Sequence, residues 1–300
     1  MNKKILIIIC GPTAVGKTDV SIAVAKHLGA EIISFDSRQF FVETNIGTAK
    51  PDAEQLAAVK HHFINSHHVW EHFSAGEFAD ACLALLNASE NKQQQFVMVG
   101  GSGLYIDALV NGMDDLPGKD EPIRQQLDQL YDEKGIGALQ EKLKAFDEKY
   151  YNTVDLNNKQ RLMRALEVIQ LSGKPYSSFL GNSQHAFNFI PVYIALDLNR
   201  DELYKRINNR VDTMMQGGLK EECIRLMEYK TCNALKTVGY KEMFEHIEGK
   251  YSLDEAVTLI KQHTRNYAKR QLTWFRKNKN FKWFNPDDLN AIISHVDSNP

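Results

Sequence analysis

Ile5-Leu6-Ile7-Ile8-Ile9-Cys10-Gly11-Pro12-Thr13-Ala14-Val15-Gly16-Lys17-Thr18 decides how the rest of this 300-residue chain reads. Six apolar, largely β-branched residues without alternation describe a strand covered on both faces, as in a parallel sheet. The eight that follow match GxxxxGK[ST] in full, and the helical pattern Asp19–Leu28 comes next. Glycines in such a turn let backbone N–H groups converge on phosphate oxygens, and the helix N-terminus adds positive potential. Gly11, Pro12, Thr13, Ala14, Val15, Gly16, Lys17 and Thr18 are therefore the candidate diphosphate- or nucleotide-binding residues, with ATP one occupant such a loop accepts. Lys17 suits the terminal phosphate, and the Thr18 hydroxyl suits a Mg²⁺ ion. The motif specifies a di- or triphosphate. It leaves open which one, and whether phosphate is the group transferred.

Working outward, Glu31–Phe35, Phe96–Val99 and Val192–Leu196 repeat the short apolar run, with helical patterns such as Glu77–Asn87 between them. The aromatic run Phe281–Phe284 supplies a late strand. Alternation of this kind predicts an α/β fold, a P-loop NTPase-like parallel sheet with right-handed crossovers. Between Asp114 and Ile190 the character changes. Leu116-Pro117-Gly118 marks an exit; Pro122–Glu133, Gly137–Phe146 and Asn158–Ser172 follow with helical spacing, closed by Gly173-Lys174-Pro175. The expected organisation is a catalytic core of residues 1–113 and 191–300 with a mostly helical insertion at 114–190.

Composition excludes several classes. A hydrophobic share of 43% and a charged share of 25% are globular values, which sets disorder aside. Cys10, Cys82, Cys223 and Cys232 are far apart and form no CxxC, against a disulfide framework or zinc ribbon. The apolar start Lys3–Cys10 is too short to span a membrane and has no cleavage site, so a soluble, cytoplasmic chain with no membrane partner is expected. No apolar heptad stands out, and a monomer is the expectation. Asn157-Asn158-Lys159-Gln160 lacks the aspartate of a guanine-binding NKxD, and no strand ends in an Asp–Glu pair of the motor ATPase kind.

Asp36 stands where the second strand leaves the sheet, at the carboxyl edge where open α/β sheets bind ligands. It could hold Mg²⁺, cap a helix or act as a base, and Ser37-Arg38-Gln39 add polar groups beside it. Gly11–Thr18, Asp36–Gln39, Asn45-Ile46-Gly47-Thr48-Ala49-Lys50-Pro51 and Val99-Gly100-Gly101-Ser102-Gly103-Leu104-Tyr105 come in that order. Gln160-Arg161-Leu162-Met163-Arg164-Ala165-Leu166-Glu167, Val238-Gly239-Tyr240-Lys241-Glu242 and Thr264-Arg265 with Ala268–Trp274 complete the series. In this content and order, from about residue 5 to 285, the chain resembles the tRNA dimethylallyltransferases, also called tRNA isopentenyltransferases.

The resemblance implies transfer of a dimethylallyl group from dimethylallyl diphosphate to N6 of adenosine 37, beside the tRNA anticodon. The loop would then hold the substrate diphosphate with Mg²⁺, and phosphate would be the leaving group while carbon is transferred. It implies tRNA contacts, to the anticodon stem-loop, at Asp36, Ser37, Arg38, Gln39, Ser102 and Arg124. The same holds for Gln160, Arg161, Leu162, Met163 and Arg164, and for Lys236 to Lys241. At position 102 many family members carry threonine; serine keeps the hydroxyl.

The chemistry asks for the same parts. An exocyclic adenine amine is a poor nucleophile, so its attack is helped by an acceptor for the departing proton and by stabilisation of the leaving diphosphate. Asp36 suits the first role; Lys17, Thr18, Mg²⁺ and the loop amides suit the second. Between Glu255 and Asp287 lie eight Lys or Arg and no acid. Arg265, Lys269 and Arg276 share one helical side with Arg270 and Lys277 flanking, which favours a polyanion surface over a merely solvated face. Arg206 and Arg210, on the pattern Asp201–Met215, suit phosphates or solvation equally, and Arg161 and Arg164 could likewise solvate a helix face. His61, His62, His67, His68 and His72 lack a ligand spacing with an acid and read as a loop packed on the core. A small-molecule kinase would explain the loop but not the basic tail. A nucleotide-dependent RNA-binding protein would leave Asp36 idle, and a prenyltransferase of free adenine nucleotide would need no basic helix.

Overall fold

The computed structural model describes residues 4–88, 95–181 and 189–299; the stretch 182–188, part of the expected insertion, lies outside them. Six parallel strands form one sheet: β1 (Lys4–Cys10), β2 (Glu31–Ser34), β3 (His61–His62), β4 (Gln95–Gly100), β5 (Phe189–Leu196) and β6 (Lys282–Phe284). Their order is β3-β2-β4-β1-β5-β6, with Ile5 in register with Gln95 on one side and Ile190 on the other. β1 is thus paired on both edges and covered on both faces. Leu6, Ile8 and Cys10 enter one core, while Ile5, Ile7 and Ile9 enter the other. Two-sided burial is why the run shows no alternation, and each isoleucine so buried contributes about 1.5–3 kcal/mol.

Twelve helices are described: α1 (Lys17–Leu28), α2 (Ala53–Ala58), α3 (Ala75–Asn87), α4 (Gly103–Asn111), α5 (Glu121–Phe146), α6 (Glu148–Tyr151), α7 (Lys159–Ser172), α8 (Arg200–Gln216), α9 (Leu219–Arg225), α10 (Tyr240–Ile247), α11 (Leu253–Phe275) and α12 (Leu289–Asp297). Val20, Val24 and Ala25 of α1 pack on the Ile7 face; Phe78, Cys82 and Leu86 of α3 pack on the Leu6 face. α3 and α11 each begin at a reciprocal serine–glutamate cap, Ser74 with Glu77 and Ser252 with Glu255.

The chain divides into two compact units, Met1–Val110 with Phe187–Pro300, and Asn111–Ala186. The second unit is helical, with a core of Leu127, Leu139, Leu143, Leu162, Met163 and Leu166. Its long helix α5 is broken at Gly135, whose φ of 73° and ψ of −176° are not helical. That break falls in the gap between the two helical patterns of the sequence, Pro122–Glu133 and Gly137–Phe146. One segment differs from expectation: His61–His62 is an edge strand rather than loop, because Ile32 and Ile33 offer it a free parallel partner. Among the described residues no helix is long and apolar enough to cross a membrane.

Candidate active site

Because all six strands run the same way, their carboxyl ends share one edge of the α/β unit. The turns after β1, β2 and β4 meet there, in the crevice where such sheets hold ligands. A cleft of about 470 Å³ opens at that edge, walled by the phosphate loop, by Asp36–Gln39 and by Gly47–Lys50. Arg210, Val211 and Met214 of α8 close one side, and Ile260, Thr264, Tyr267 and Gln271 of α11 another. The α11 residues fall at i, i+4, i+7 and i+11, a single stripe of one helix.

The loop has the conformation its glycines predict. Gly16 has φ of 102°, a left-handed value that side chains disfavour, and it opens α1. Lys17 Nζ donates to the carbonyls of Gly11 at 3.1 Å and Pro12 at 2.8 Å, which poises the amine over the loop. Burial, with Arg210 adding to it, lowers the Lys17 ammonium to about 8 against the opposing pull of Asp36. Arg210 Nη1 donates to Thr13 Oγ1 at 3.3 Å. Burial likewise depresses this guanidinium, with Asp36 and Asp19 acting against the shift. Two cations therefore face the loop, and an anion between them would relieve their repulsion. Gln271 fixes the loop from α11, accepting from Thr13 N at 2.9 Å and donating to Gly101 O at 2.9 Å. That contact requires glycine at 101, where a Cβ would lie 2.2 Å from the Gln271 amide nitrogen.

Asp36 lines the cleft. Its Oδ1 accepts from Arg38 N at 3.1 Å and its carbonyl from Gln39 N at 3.0 Å, a turn that aims the carboxylate while capping no helix. Ser102 Oγ accepts from Ser37 N at 3.2 Å and donates to Ser37 Oγ at 3.1 Å, joining the β2 and β4 turns. Burial lifts the Tyr267 phenol to about 12, and Asp36 adds to the shift, so Tyr267 stands neutral beside the carboxylate. Arg38 and Gln39 are tied to protein. Arg38 Nη1 donates to Asn233 O and Ala234 O at 2.8 and 3.1 Å, and Gln39 Nε2 to Thr48 O and Ala49 O at 3.2 and 3.1 Å.

In the helical unit Leu162 and Met163 are core residues. Arg124 and Arg164 both bond the buried Glu167: Arg124 Nε to Oε1 at 2.8 Å, Arg164 Nη1 to Oε2 at 2.7 Å. Gln160 and Arg161 are exposed. In the α/β unit Lys236, Lys241, Lys269 and Arg270 are exposed, and Arg265 donates to Asn208 Oδ1 at 2.7 Å. The acids missing from the basic stretch come from other elements: Asp212 pairs with Lys261 and Asp197 with Arg276. The histidines are dispersed. His62 pairs with Glu31, His68 with Glu43 and His72 with Glu77, and no cluster able to hold a metal occurs among the described residues.

The IPP transferase family model matches residues 39–278. This chain belongs to that family. Among curated proteins it is 50% identical over 294 residues to a tRNA dimethylallyltransferase of Christiangramia forsetii, covering 98% of this chain and 97% of that one. To the Flavobacterium johnsoniae tRNA dimethylallyltransferase it is 45% identical, with 99% and 98% covered. Among solved structures it superposes on the full-length tRNA isopentenylpyrophosphate transferase of Bacillus halodurans with a TM-score of 0.72 at 37% identity, covering 99% and 97% of the two chains. A eukaryotic dimethylallyltransferase acting on tRNA superposes at a TM-score of 0.74 and 25% identity, over 90% of this chain and 69% of that one.

Sequence reasoning left one residue of this IPP transferase site undecided and two unassigned. Arg210 was read, with Arg206, as suiting phosphates or solvation equally. Gln271 lay inside a family-like run without a role. Glu222 gave no signal. It is buried, accepts from the amides of Asn45, Ile46 and Gly47 at 3.1, 2.9 and 3.0 Å and from Tyr240 Oη at 2.5 Å, and so fixes the turn leading to the Gly47–Lys50 wall.

Proposed function

We propose that the chain is a tRNA dimethylallyltransferase: it moves a dimethylallyl group from dimethylallyl diphosphate to N6 of adenosine 37 in tRNA and releases diphosphate. The observation that carries this reading is the single cleft in which a phosphate loop, a carboxylate and an apolar wall meet. The loop amides, Lys17 and Arg210 hold the diphosphate. Thr18, Ser34 and Asp36 line one small recess, and hard oxygen donors of this kind fit Mg²⁺, with Thr18 the residue that would hold it. When bound, that ion neutralises charge on the leaving diphosphate. Asp36 orients the amine and takes its proton as the C–N bond forms. The allylic C–O bond breaks, and Lys17 and Arg210 receive the growing negative charge of the leaving group better than that of the bound ester. A base inside a stem-loop reaches such a cleft only after leaving its stack. Ser37, Ser102 and the basic residues of α11 are placed here as contacts for the RNA, with the helical unit contributing through Gln160 and Arg161.

The test is mass spectrometry of unmodified tRNA incubated with the protein, Mg²⁺ and dimethylallyl diphosphate. One adenosine should gain a C₅ adduct with release of diphosphate. Release of ADP from ATP with no adduct on RNA would instead support a small-molecule kinase.

A further inference from the structure

Cations hold one end of the cleft, so a diphosphate anchored there must send its hydrocarbon tail toward the apolar lining. That lining is Val211, Met214, Val238 and Ile260. Adjoining it is a second, more open hollow of about 450 Å³, lined by Ile46, Ala49, Arg210, Thr213, Met214 and Gly217. Ala49, Arg210 and Met214 border both spaces. Arg210 is held on the loop side by Thr13, so the apolar part of the partition is Met214 with Ala49. Met214 follows Arg210 by four residues on α8, which puts the sulfur-bearing chain one turn beyond the guanidinium on the same face. An unbranched thioether fills such a gap without a hydroxyl or charge to interfere.

We infer that the Met214–Ala49 partition sets the length of the prenyl donor. It stops the tail at one five-carbon unit and closes off a hollow large enough for a second. The inference rests on the donor reading above. The bonds made and broken are unchanged: a longer allylic diphosphate loses the same diphosphate and passes the same proton to Asp36.

The experiment offers dimethylallyl and geranyl diphosphate in competition, with unmodified tRNA, and counts C₅ and C₁₀ adducts by mass spectrometry. An apolar pocket discriminates roughly 10- to 200-fold per methylene that does not fit, so the wild-type protein should make almost no C₁₀ product. Met214→Ala should raise the C₁₀:C₅ ratio of kcat/KM at least ~10-fold, with C₅ transfer weakened yet measurable. Thr213 is exposed and borders only the outer hollow, so Thr213→Phe alone should leave C₅ transfer as it is. Added to Met214→Ala, it should fill the hollow and return the ratio toward wild type. Met214→Val, a smaller cut, gives the same readout should the alanine variant fold poorly. A wild-type ratio in a folded Met214 variant overturns the inference, as does a C₁₀ gain that Thr213→Phe fails to reverse. Failure of the wild-type protein to form even the C₅ adduct strikes the donor reading and not the partition.

Discussion

In the helical unit Glu167 is buried and takes hydrogen bonds from Arg124 and Arg164, so its charge is fully answered within the protein. In the α/β unit Asp36, Lys17 and Arg210 influence one another electrostatically, yet none has an ion-pair partner within 4 Å among the described residues. The same side-chain types meet different ends. In the helical unit one carboxylate is shared by two guanidinium groups, so the cations are held in place by a direct ion pair. At the sheet edge the backbone carbonyls of Gly11 and Pro12, the Thr13 hydroxyl and the Arg38 amide hold the charges in place without neutralising them. Groups kept charged and apart in this way suit substrates that bring charge with them.

Asp36 is where the two regions should part furthest. Asp36→Ala should lower turnover at least ~10²-fold, the scale of a general base, while the thermal midpoint barely moves. A single-turnover assay with saturating RNA and donor checks this, and near-wild-type turnover would remove the carboxylate from catalysis.

Glu167 should show the opposite balance. Glu167→Gln leaves two partly buried guanidinium groups without their counter-charge, at a cost of about 3 kcal/mol in stability. The pH dependence follows from the carboxyl. Burial raises its pKa, but the bonds from Arg124 and Arg164 outweigh burial and hold it below the usual range. A depressed carboxyl contributes its stability above the unfolded pKa, near 4.5, and loses it as pH falls through the lower folded value. Thermal unfolding should therefore separate wild type and variant widely at neutral pH and less with each step below about pH 4.5. A gap that stays constant into acid would show that the triad is not what holds α5 to α7.

The sequence made the central strand, the loop and the Asp36 turn legible because each depends on neighbours along the chain. Two-sided apolarity, glycine spacing and a strand end are local signals. Arg210 and Gln271 were not legible, since what matters is the way α8 and α11 turn against the sheet, and that is set by packing across 170 residues or more. Arg124 and Arg164 illustrate the same limit in reverse. Their positions match a family pattern, but only the burial of Glu167 reveals where the guanidinium groups are engaged. His61–His62 became a strand because of Ile32 and Ile33, some thirty residues earlier.

The smallest expected effect separates a cation already paired with an acid from cations that are not. Arg276 pairs with Asp197 at 2.9 Å, whereas Lys269 and Arg270 are exposed and form no ion pair among the described residues. If α11 faces an RNA backbone, each free cation that meets a phosphate adds ~0.7–0.9 to the slope of log affinity against log salt. Lys269→Ala and Arg270→Ala should each flatten the slope for tRNA by about that much between ~50 and 200 mM salt. Arg276→Ala should flatten it less, because Asp197 already offsets much of that charge. Three equal slopes, or slopes unchanged from wild type, would place the RNA on another face of the α/β unit and leave the basic stripe to solvation.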